Sequence, residues 1–223
     1  MLRFDNVGKT YLKSGFTLSG IDLCISAGEF VFITGKTGAG KSTLLKMIYG
    51  EEKPDEGSLF LSDVEIPKAK ERDLQSIRRK IGLIFQESSL MDDINVYENT
   101  AYPLYIKRLD RQTVHKRVNI ALRLVGLVAK RTAYPGELSG GEKQKACIAR
   151  AVAADPYLII ADEPTGNIDR KAAFEIMDLL RRINEKGTTI LVATHDMDSV
   201  SRFGSRVINI SDGRILADMK RDG

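Results

Sequence analysis

The chain has 223 residues, of which 43% are hydrophobic and 29% are charged, and its net charge is +4. This composition is that of a globular protein with a full core, and no apolar run approaches the roughly 20 residues that a membrane-spanning helix needs. The opening residues lack the basic-then-apolar pattern of a signal peptide. Cys24 and Cys147 have no metal-ligand spacing and are too few for a disulfide framework. We therefore expect a cytosolic protein in which both cysteines are buried as small hydrophobic residues.

Hydrophobic periodicity predicts strands and helices that alternate on both sides of a mainly helical stretch. Strands are predicted over 2–7, 21–25, 30–33, 58–61, 64–66, 81–85, 157–161, 189–193 and 207–210. Helices are predicted over 44–48, 68–80, 96–106, 113–125, 141–154, 170–185 and 197–203. This order favours a mostly parallel sheet with right-handed crossovers. We expect a single domain over 1–223, with a helical subdomain inserted at about 87–155.

A glycine-rich stretch between a strand and a helix is the most specific feature of the sequence. Its residues are Gly35, Lys36, Thr37, Gly38, Ala39, Gly40, Lys41, Ser42 and Thr43. The pattern G-x-x-x-x-G-K-[ST] in this setting is typical of a phosphate-binding loop, because the glycines let successive N–H groups turn inward and the helix adds its positive end. We expect Lys41 to bind the β- and γ-phosphates of a nucleotide and the Ser42 hydroxyl to ligate Mg²⁺.

Two further side chains are candidates for contact with the same ligand. Tyr11 lies in a polar segment upstream of the loop, where its ring can stack on an adenine. Taken without the neighbouring motifs, an edge-strand tyrosine is an equally good interpretation. Gln86 follows the predicted strand 81–85, and its neutral amide can reach the metal ion or the water bound to it.

Polar side chains end two of the predicted parallel strands. Asp162 and Glu163 follow the apolar run 157–161, and His195 follows the run 189–193. Ligands of such sheets gather at the carboxyl ends of the strands, beside the phosphate loop. We expect Asp162 to hold Mg²⁺, Glu163 to polarise the water that attacks the γ-phosphate, and His195 to hydrogen-bond that phosphate.

A second anion site is predicted at the start of the helix over 141–154. It consists of Leu138, Ser139, Gly140, Gly141 and Glu142. Ser139 is a typical N-cap residue, and the two glycines expose N–H groups at the positive end of the helix. One nucleotide cannot easily reach both this site and the phosphate loop when the two lie in separate subdomains. A head-to-tail homodimer solves this, with each ATP bound between the loop of one chain and the Ser139 helix of the other.

With these motifs in place, the sequence resembles the ABC ATPase family over essentially its whole length. The phosphate loop, Gln86, residues 138–142, the acidic pair and His195 occur in that family's order and approximate spacing. The resemblance implies that Asp169 is the aspartate of the D-loop. It also implies an α/β P-loop NTPase fold with a RecA-like, mostly parallel sheet core, an antiparallel β subdomain and an inserted helical subdomain.

Within the family, residues 161–167 resemble the branch that contains cell-division, lipoprotein-export and macrolide-exporter ATPases, and residues 28–32 and 184–189 look most like the cell-division members. The resemblance implies a homodimer in the ATP-bound state that drives an FtsX-like integral membrane partner and controls peptidoglycan hydrolysis. The chain is then cytoplasmic and peripheral on the inner face of the cell membrane. There are two alternatives. The partner is an exporter or a lipoprotein-release permease, or the chain is a nucleotide-gated division scaffold. No nucleic-acid partner is expected. ABC proteins that act on DNA or the ribosome are expected to carry a coiled-coil insertion or a second ATPase unit, and 223 residues leave room for neither.

The segment that follows Gln86 is the predicted contact with the membrane partner. It combines apolar and acidic residues, a composition suited to a groove that receives an amphipathic helix. Packing of the helical insertion on the sheet is the alternative for such residues. Because the resemblance places a coupling-helix contact in this region, Leu90, Met91 and Tyr97 are the candidates for the groove.

Overall fold

The computed structural model describes residues 1–13 and 15–220, which contain two β-sheets and seven α-helices. An antiparallel sheet has the order β2-β1-β4-β5, and a six-stranded sheet has the order β10-β9-β3-β8-β7-β6. The strands of the first sheet are β1 (Leu2–Tyr11), β2 (Phe16–Ile25), β4 (Glu56–Leu61) and β5 (Val64–Glu65). Those of the second are β3 (Phe30–Thr34), β6 (Ile81–Ile84), β7 (Leu158–Asp162), β8 (Thr189–Thr194), β9 (Arg206–Ser211) and β10 (Arg214–Lys220).

The helices connect the strands of the larger sheet and cover its faces. They are α1 (Lys41–Ile48), α2 (Glu71–Arg78), α3 (Val96–Ile106), α4 (Arg111–Val125), α5 (Gly140–Ala153), α6 (Arg170–Asn184) and α7 (Met197–Phe203). Residues of β3 and β8 are buried along their whole length, as expected for parallel strands with both faces covered. The described helices include none with the length and apolar character needed to cross a bilayer.

Strands β3, β6, β7, β8 and β9 run parallel to one another in this sheet, which confirms the predicted α/β class. The sequence gives no prediction of β10, which pairs antiparallel with β9 at the sheet edge. Most of its residues are exposed, among them Leu216 and Met219. A strand with no continuous buried face lacks the alternation from which strands are predicted.

The antiparallel sheet corrects two sequence predictions. The first two strands are longer than 2–7 and 21–25, because they continue as one hairpin in which Tyr11 pairs with Phe16. Cys24 is exposed, so the prediction that it is buried is wrong. Its neighbours Leu23 and Ile25 face the core, and alternation along β2 turns Cys24 to the opposite face. Cys147 is buried, as predicted.

Helices α3, α4 and α5 follow one another between β6 and β7 and pack together around a shared apolar core. The bounds of α3 and α7 agree with the predicted ones, and most other elements differ from prediction by one to three residues at an end. We propose that the run from α3 to α5 is the inserted helical subdomain expected at about 87–155. Its position matters because it follows the carboxyl end of β6, at the edge of the sheet where parallel strands bind their ligands.

Candidate active site

A cavity of about 870 Å³ opens at the carboxyl ends of β3 and β7, where the sheet meets the start of α1. It brings together eleven of the predicted site residues, which come from five separate parts of the chain. The lining residues are Tyr11, Phe16, Thr37, Gly38, Gly40, Lys41, Ser42, Thr43, Phe85, Gln86, Glu87, Asp162, Glu163 and His195. This is the edge at which parallel α/β sheets bind their ligands.

The loop over 35–40 needs glycine at its two ends. Gly35 has φ 152°, and a Cβ there would lie 2.2 Å from the carbonyl oxygen of Ile210. Gly40 has φ 109°, and its Cβ would meet Leu18 at 2.7 Å and Phe16 at 3.0 Å. Only glycine combines these angles with such close approach. The loop is therefore pressed against both sheets and held in one shape.

The amino terminus of α1 is free to bind a ligand. Gly40 is its N-cap, and no side chain from the described residues caps it. The helices α3 to α7 each have such a cap, from Asn95, Asp110, Ser139, Asp169 and Asp196 respectively. The first N–H groups of an α-helix have no partner within the helix. At α1 these groups and the positive end of the helix dipole are available to an anion in the cavity.

Lys41 supplies a cation to the same place. Its side chain is 7% exposed, and Nζ donates hydrogen bonds to the carbonyl oxygens of Gly35 at 2.8 Å and Lys36 at 3.3 Å. The nearest carboxylate oxygen, Oε1 of Glu163, lies 3.7 Å from Nζ. A nearly buried ammonium that donates only to backbone carbonyls and lies 3.7 Å from its nearest carboxylate oxygen favours a phosphate as a further partner.

Asp162 and Ser42 form a small oxygen cluster at the base of the loop. Oδ1 of Asp162 is buried and has no hydrogen-bond partner in the described part of the chain. Burial raises the pKa of this carboxyl, while a hydrogen bond with the Ser42 side chain acts in the opposite direction. An unpaired, buried carboxylate oxygen next to a hydroxyl fits the oxygen ligands that Mg²⁺ prefers. The residues present therefore fit the expected metal ion.

Glu163 and His195 contact each other at the far side of the cavity. Nδ1 of His195 lies 2.9 Å from Oε1 of Glu163, and Oγ1 of Thr194 donates to Oε2 at 3.1 Å. The backbone of Glu163 is left-handed, with φ 47°, and its N–H donates to the carbonyl of Ala193. This unusual conformation directs the carboxylate away from Asp162 and towards the end of β8. Strain of this kind is common at functional sites.

The second predicted anion site does not line this cavity. None of residues 138–142 contributes to its described walls, nor does Asp169, which caps α6. Ser139 caps α5 as predicted, and Oε2 of Glu142 accepts a hydrogen bond from the N–H of Ser139 at 2.9 Å. Leu138 is buried in the core of the helical region, so its side chain is a packing residue in this structure. Gly140 instead lines a smaller cleft of about 260 Å³ that also includes Gln86.

Three residues of the cavity were missed by the sequence interpretation: Phe16, Phe85 and Glu87. The Phe16 ring lies 6.5 Å from that of Tyr11, so the β1–β2 hairpin presents two aromatic rings to the cavity. Gln144 was also missed. It is buried on α5, and its Nε2 donates to the carbonyl oxygen of Phe85, which precedes Gln86. Phe16 could have been found by extending the first predicted strand to Tyr11, because the hairpin then pairs Tyr11 with Phe16.

The strand–loop–helix unit and the acidic strand end define a P-loop nucleotide-binding protein. The sequence profile described as ABC transporter matches residues 18–166, and the chain belongs to this family. It is therefore an ATPase of the ABC type, and both the predicted family and the predicted fold are confirmed.

Two curated relatives show how far the likeness extends. The chain is 42% identical over 221 residues to the "Cell division ATP-binding protein FtsE" of Bacillus subtilis, covering 99% of this chain and 97% of the relative. It is also 42% identical over 219 residues to the "Methionine import ATP-binding protein MetN" of Rhizobium meliloti, covering 96% of this chain and 61% of the relative. Among solved structures, a dimeric post-hydrolysis state of the ATP-binding cassette MJ0796, bound to ADP and Pi, is 36% identical with a TM-score of 0.89. That match covers 100% of both chains.

Proposed function

We propose that this chain is the ATP-hydrolysing subunit of a membrane complex of cell division, and that its partner is an FtsX-like membrane protein through which it controls peptidoglycan hydrolysis. The observation that carries the catalytic part is the cavity in which an uncapped helix terminus, a nearly buried lysine and an unpaired aspartate oxygen meet. The cell-division role is supported by the likeness to FtsE over nearly the whole of both chains.

The phosphates of ATP occupy the mouth of the loop over 35–43. There the N–H groups of the first turn of α1 bind phosphate oxygens, and Lys41 neutralises charge on the β- and γ-phosphates. The adenine stacks on Tyr11, with Phe16 as the neighbouring ring. We propose that Gln86, which lines the same cavity, reaches the metal ion or the water bound to it.

Hydrolysis needs a water molecule positioned opposite the leaving phosphate oxygen. We propose that Glu163 accepts a proton from that water as it attacks phosphorus, while the bond to the β-phosphate oxygen breaks and ADP leaves. His195, already in contact with Glu163, donates a hydrogen bond to the γ-phosphate. Asp162, Ser42 and Gln86 would hold Mg²⁺, which neutralises phosphate charge when bound.

The separation of the two anion sites supports a dimer. Because residues 138–142 lie outside the cavity of their own chain, we propose that they bind the γ-phosphate of ATP held by a second copy. The ATP-bound state is then a head-to-tail homodimer, with Asp169 at the contact between the copies. The dimeric form of the MJ0796 cassette is consistent with this arrangement.

Glu163→Gln tests the hydrolytic part. We expect ATP binding to persist and turnover to fall about 10²–10⁴-fold, because a positioned general base contributes that much. The variant should also accumulate an ATP-bound dimer, visible by size-exclusion chromatography. Glu185→Gln is the matched control, since Glu185 is exposed and makes only a surface ion pair with Arg181. Near-normal hydrolysis by Glu163→Gln would sink the assignment.

The proposed partner site is a groove of about 640 Å³ between α2, α3 and α5. Met91 lines it, together with Tyr102 and Ile106, so we retain Met91 as a contact residue. The prediction for Leu90 is wrong, whereas the contact expected of Tyr97 stays a prediction. Leu90 is 9% exposed and belongs to the core, and Tyr97 packs against the same core without lining the groove.

Met91→Glu tests the partner site. We expect folding and ATP binding to be unchanged and capture of the membrane partner to fall, because a carboxylate enters an apolar part of the groove. Purification from solubilised membranes with identification of the captured protein is the measurement. Met219→Glu is the control, because Met219 is exposed on β10 away from the groove.

The identity of the captured protein also decides between partners. An FtsX-like protein supports the cell-division role. Capture of a lipoprotein-release or macrolide-type exporter would keep the ATPase activity in the proposal but replace the cell-division role. Capture of an importer component, which the MetN likeness allows, would do the same. Undiminished capture by folded Met91→Glu places the contact elsewhere. Division function retained by Glu163→Gln favours a nucleotide-gated scaffold. If the captured protein is FtsX-like, we propose that the chain is peripheral on the inner membrane face, whichever result Met91→Glu and Glu163→Gln give.

A further inference from the structure

The groove between α2, α3 and α5, proposed above as the partner site, has a one-sided charge. Four cationic side chains line it, and none of its described lining residues carries a carboxylate. The four are Arg78, Arg79, Lys107 and Arg150. The whole chain has 34 basic and 30 acidic residues, so the absence of acidic groups in this lining is a local feature and not a consequence of composition.

Two of these cations are held in place by the protein. Nε and Nη2 of Arg78 donate to backbone carbonyl oxygens of Tyr49 and Gly50, and Nη1 pairs with Glu71 at 3.0 Å. Arg150 donates to the carbonyl oxygen and hydroxyl of Ser89. The partners of Arg150 are neutral, so its charge is positioned at the groove but not balanced.

The other two cations, Lys107 and Arg79, follow directly after α3 and α2 respectively. Lys107 donates to the carbonyl oxygen of Ala154, and its pKa is lowered, first by burial and then by the neighbouring charge of Arg117, although the carboxylate of Asp155 acts in the opposite direction. A lysine in that condition gains from a nearby carboxylate. Arg79 is exposed at the end of α2, and among the described residues its guanidinium has no ion-pair partner.

The shape of the groove indicates what binds beside these charges. Tyr102 and Ile106 are spaced by four residues on α3, lie on the same face of that helix and are each 47% exposed. With Met91 they form an apolar strip along the groove. A convex amphipathic helix fits such a groove, whereas a lipid surface is flat and cannot enter it.

We propose that this groove selects an amphipathic helix of the partner whose flank carries carboxylates, and that Arg79 and Lys107 are the side chains that recognise them. This inference rests on the proposed function, because it takes the groove to be the docking site of the membrane partner. It adds the charge of the docked segment and the residues that determine the choice. Electrostatic complementarity of this kind mainly provides specificity between partners.

Two synthetic peptides provide the test. Both are 14-residue amphipathic helices with the same leucines, one with glutamates along the flanks of the apolar strip and the other with lysines. Binding to the purified full-length chain is measured by fluorescence anisotropy at low and at physiological salt. We expect the acidic peptide to bind at least about tenfold more tightly, a difference of about 1.4 kcal/mol, and the difference to narrow as salt rises.

Arg79→Glu should abolish or reverse this preference. Arg79 is exposed, so the substitution is expected to leave the fold intact, and circular dichroism verifies this. Arg182→Glu is the matched control, because Arg182 is also an exposed arginine in the last turn of a helix and lies outside the groove. The same preference in wild type and in folded Arg79→Glu would overturn the proposal, as would an equal loss in Arg182→Glu.

Failure of the inference can be distinguished from failure of the proposed function. If Met91→Glu weakens capture of the membrane partner but the two peptides bind equally, the docking site stands and the charge selection is wrong. If neither peptide binds and Met91→Glu captures normally, the groove is not the docking site. Vesicles with and without 30% phosphatidylglycerol provide a final arm. Binding to the anionic vesicles that Arg79→Glu abolishes, without peptide preference, assigns the charges to lipid and overturns the proposal.

Discussion

Asp162 is a position at which stability and activity are expected to oppose each other. Its Oδ1 is buried without a hydrogen-bond partner among the described residues, and burial raises its pKa, so the ionised form is held at a cost in free energy. Asp162→Asn removes the charge and keeps nearly the same volume. We therefore expect the nucleotide-free variant to be more stable than the wild type and much less active.

The size of the effect follows from what the substitution leaves behind. A buried polar group without a partner costs about 1–3 kcal/mol, and a charged group costs more. The asparagine amide still lacks its full set of partners, so only the part due to charge is recovered, about 1 kcal/mol. In a domain of this length that corresponds to a rise in Tm of about 2–4 °C. Loss of the proposed metal ligand should lower ATP turnover by about 10²-fold or more.

The stability difference should depend on pH. Because the folded-state pKa of Asp162 is raised, the wild type carries the full penalty above that pKa, where the group is ionised. The penalty is lost as pH falls through the raised value towards the ordinary aspartate pKa, since the group is then neutral in both states. The Tm advantage of Asp162→Asn should therefore shrink in acid.

Thermal unfolding of nucleotide-free protein, followed by circular dichroism from pH 8 down to about pH 4, near the ordinary aspartate pKa, measures this difference. Asp178→Asn is the control, because Asp178 is exposed on α6 and lies outside the cavity. A steady-state ATPase assay with Mg²⁺ measures the activity. If Asp162→Asn is no more stable than the wild type at neutral pH, the unpaired oxygen does not lower the free energy of unfolding as we infer. If its turnover is normal, the proposed metal contact is wrong.

Two further predictions concern the second anion site and the edge of the sheet. Ser139→Arg should lower ATP turnover by at least about 10²-fold while the monomer still binds ATP, because residues 138–142 act on the nucleotide of the opposing copy. Binding is measured by nucleotide fluorescence, and an equal loss of binding and turnover would indicate a site within one chain. Arg206→Ala should destabilise the fold by about 2 kcal/mol in urea unfolding, because it removes the ion-pair partner of Asp218 and leaves Glu29 paired with Lys220 alone, and both carboxylates are partly exposed. Since Arg206 lowers the pKa of Asp218, that difference should fade as pH drops through the lowered value, and a pH-independent difference would contradict this cause.

The sequence alone was sufficient for the features that depend on short range. Period-two and period-3.6 patterns predicted most of the buried strands and helices, because each of those elements has a core face that selects apolar residues. The phosphate loop could be predicted because its glycines, lysine and serine act within one strand–loop–helix unit. Strand β10 was missed for the converse reason: it pairs at an edge and has no continuous buried face.

What only the tertiary structure decided was which distant side chains meet. The approach of Phe16 to Gly40, the hydrogen bond from Gln144 to the carbonyl of Phe85 and the unpaired oxygen of Asp162 each depend on elements far apart in the chain. No local pattern records such a contact, since side-chain burial and partners are set by packing of whole elements. The charge of the groove has the same origin, because its cations come from α2, from α5 and from the residues that follow α2 and α3, and only the packing of these helices brings them together.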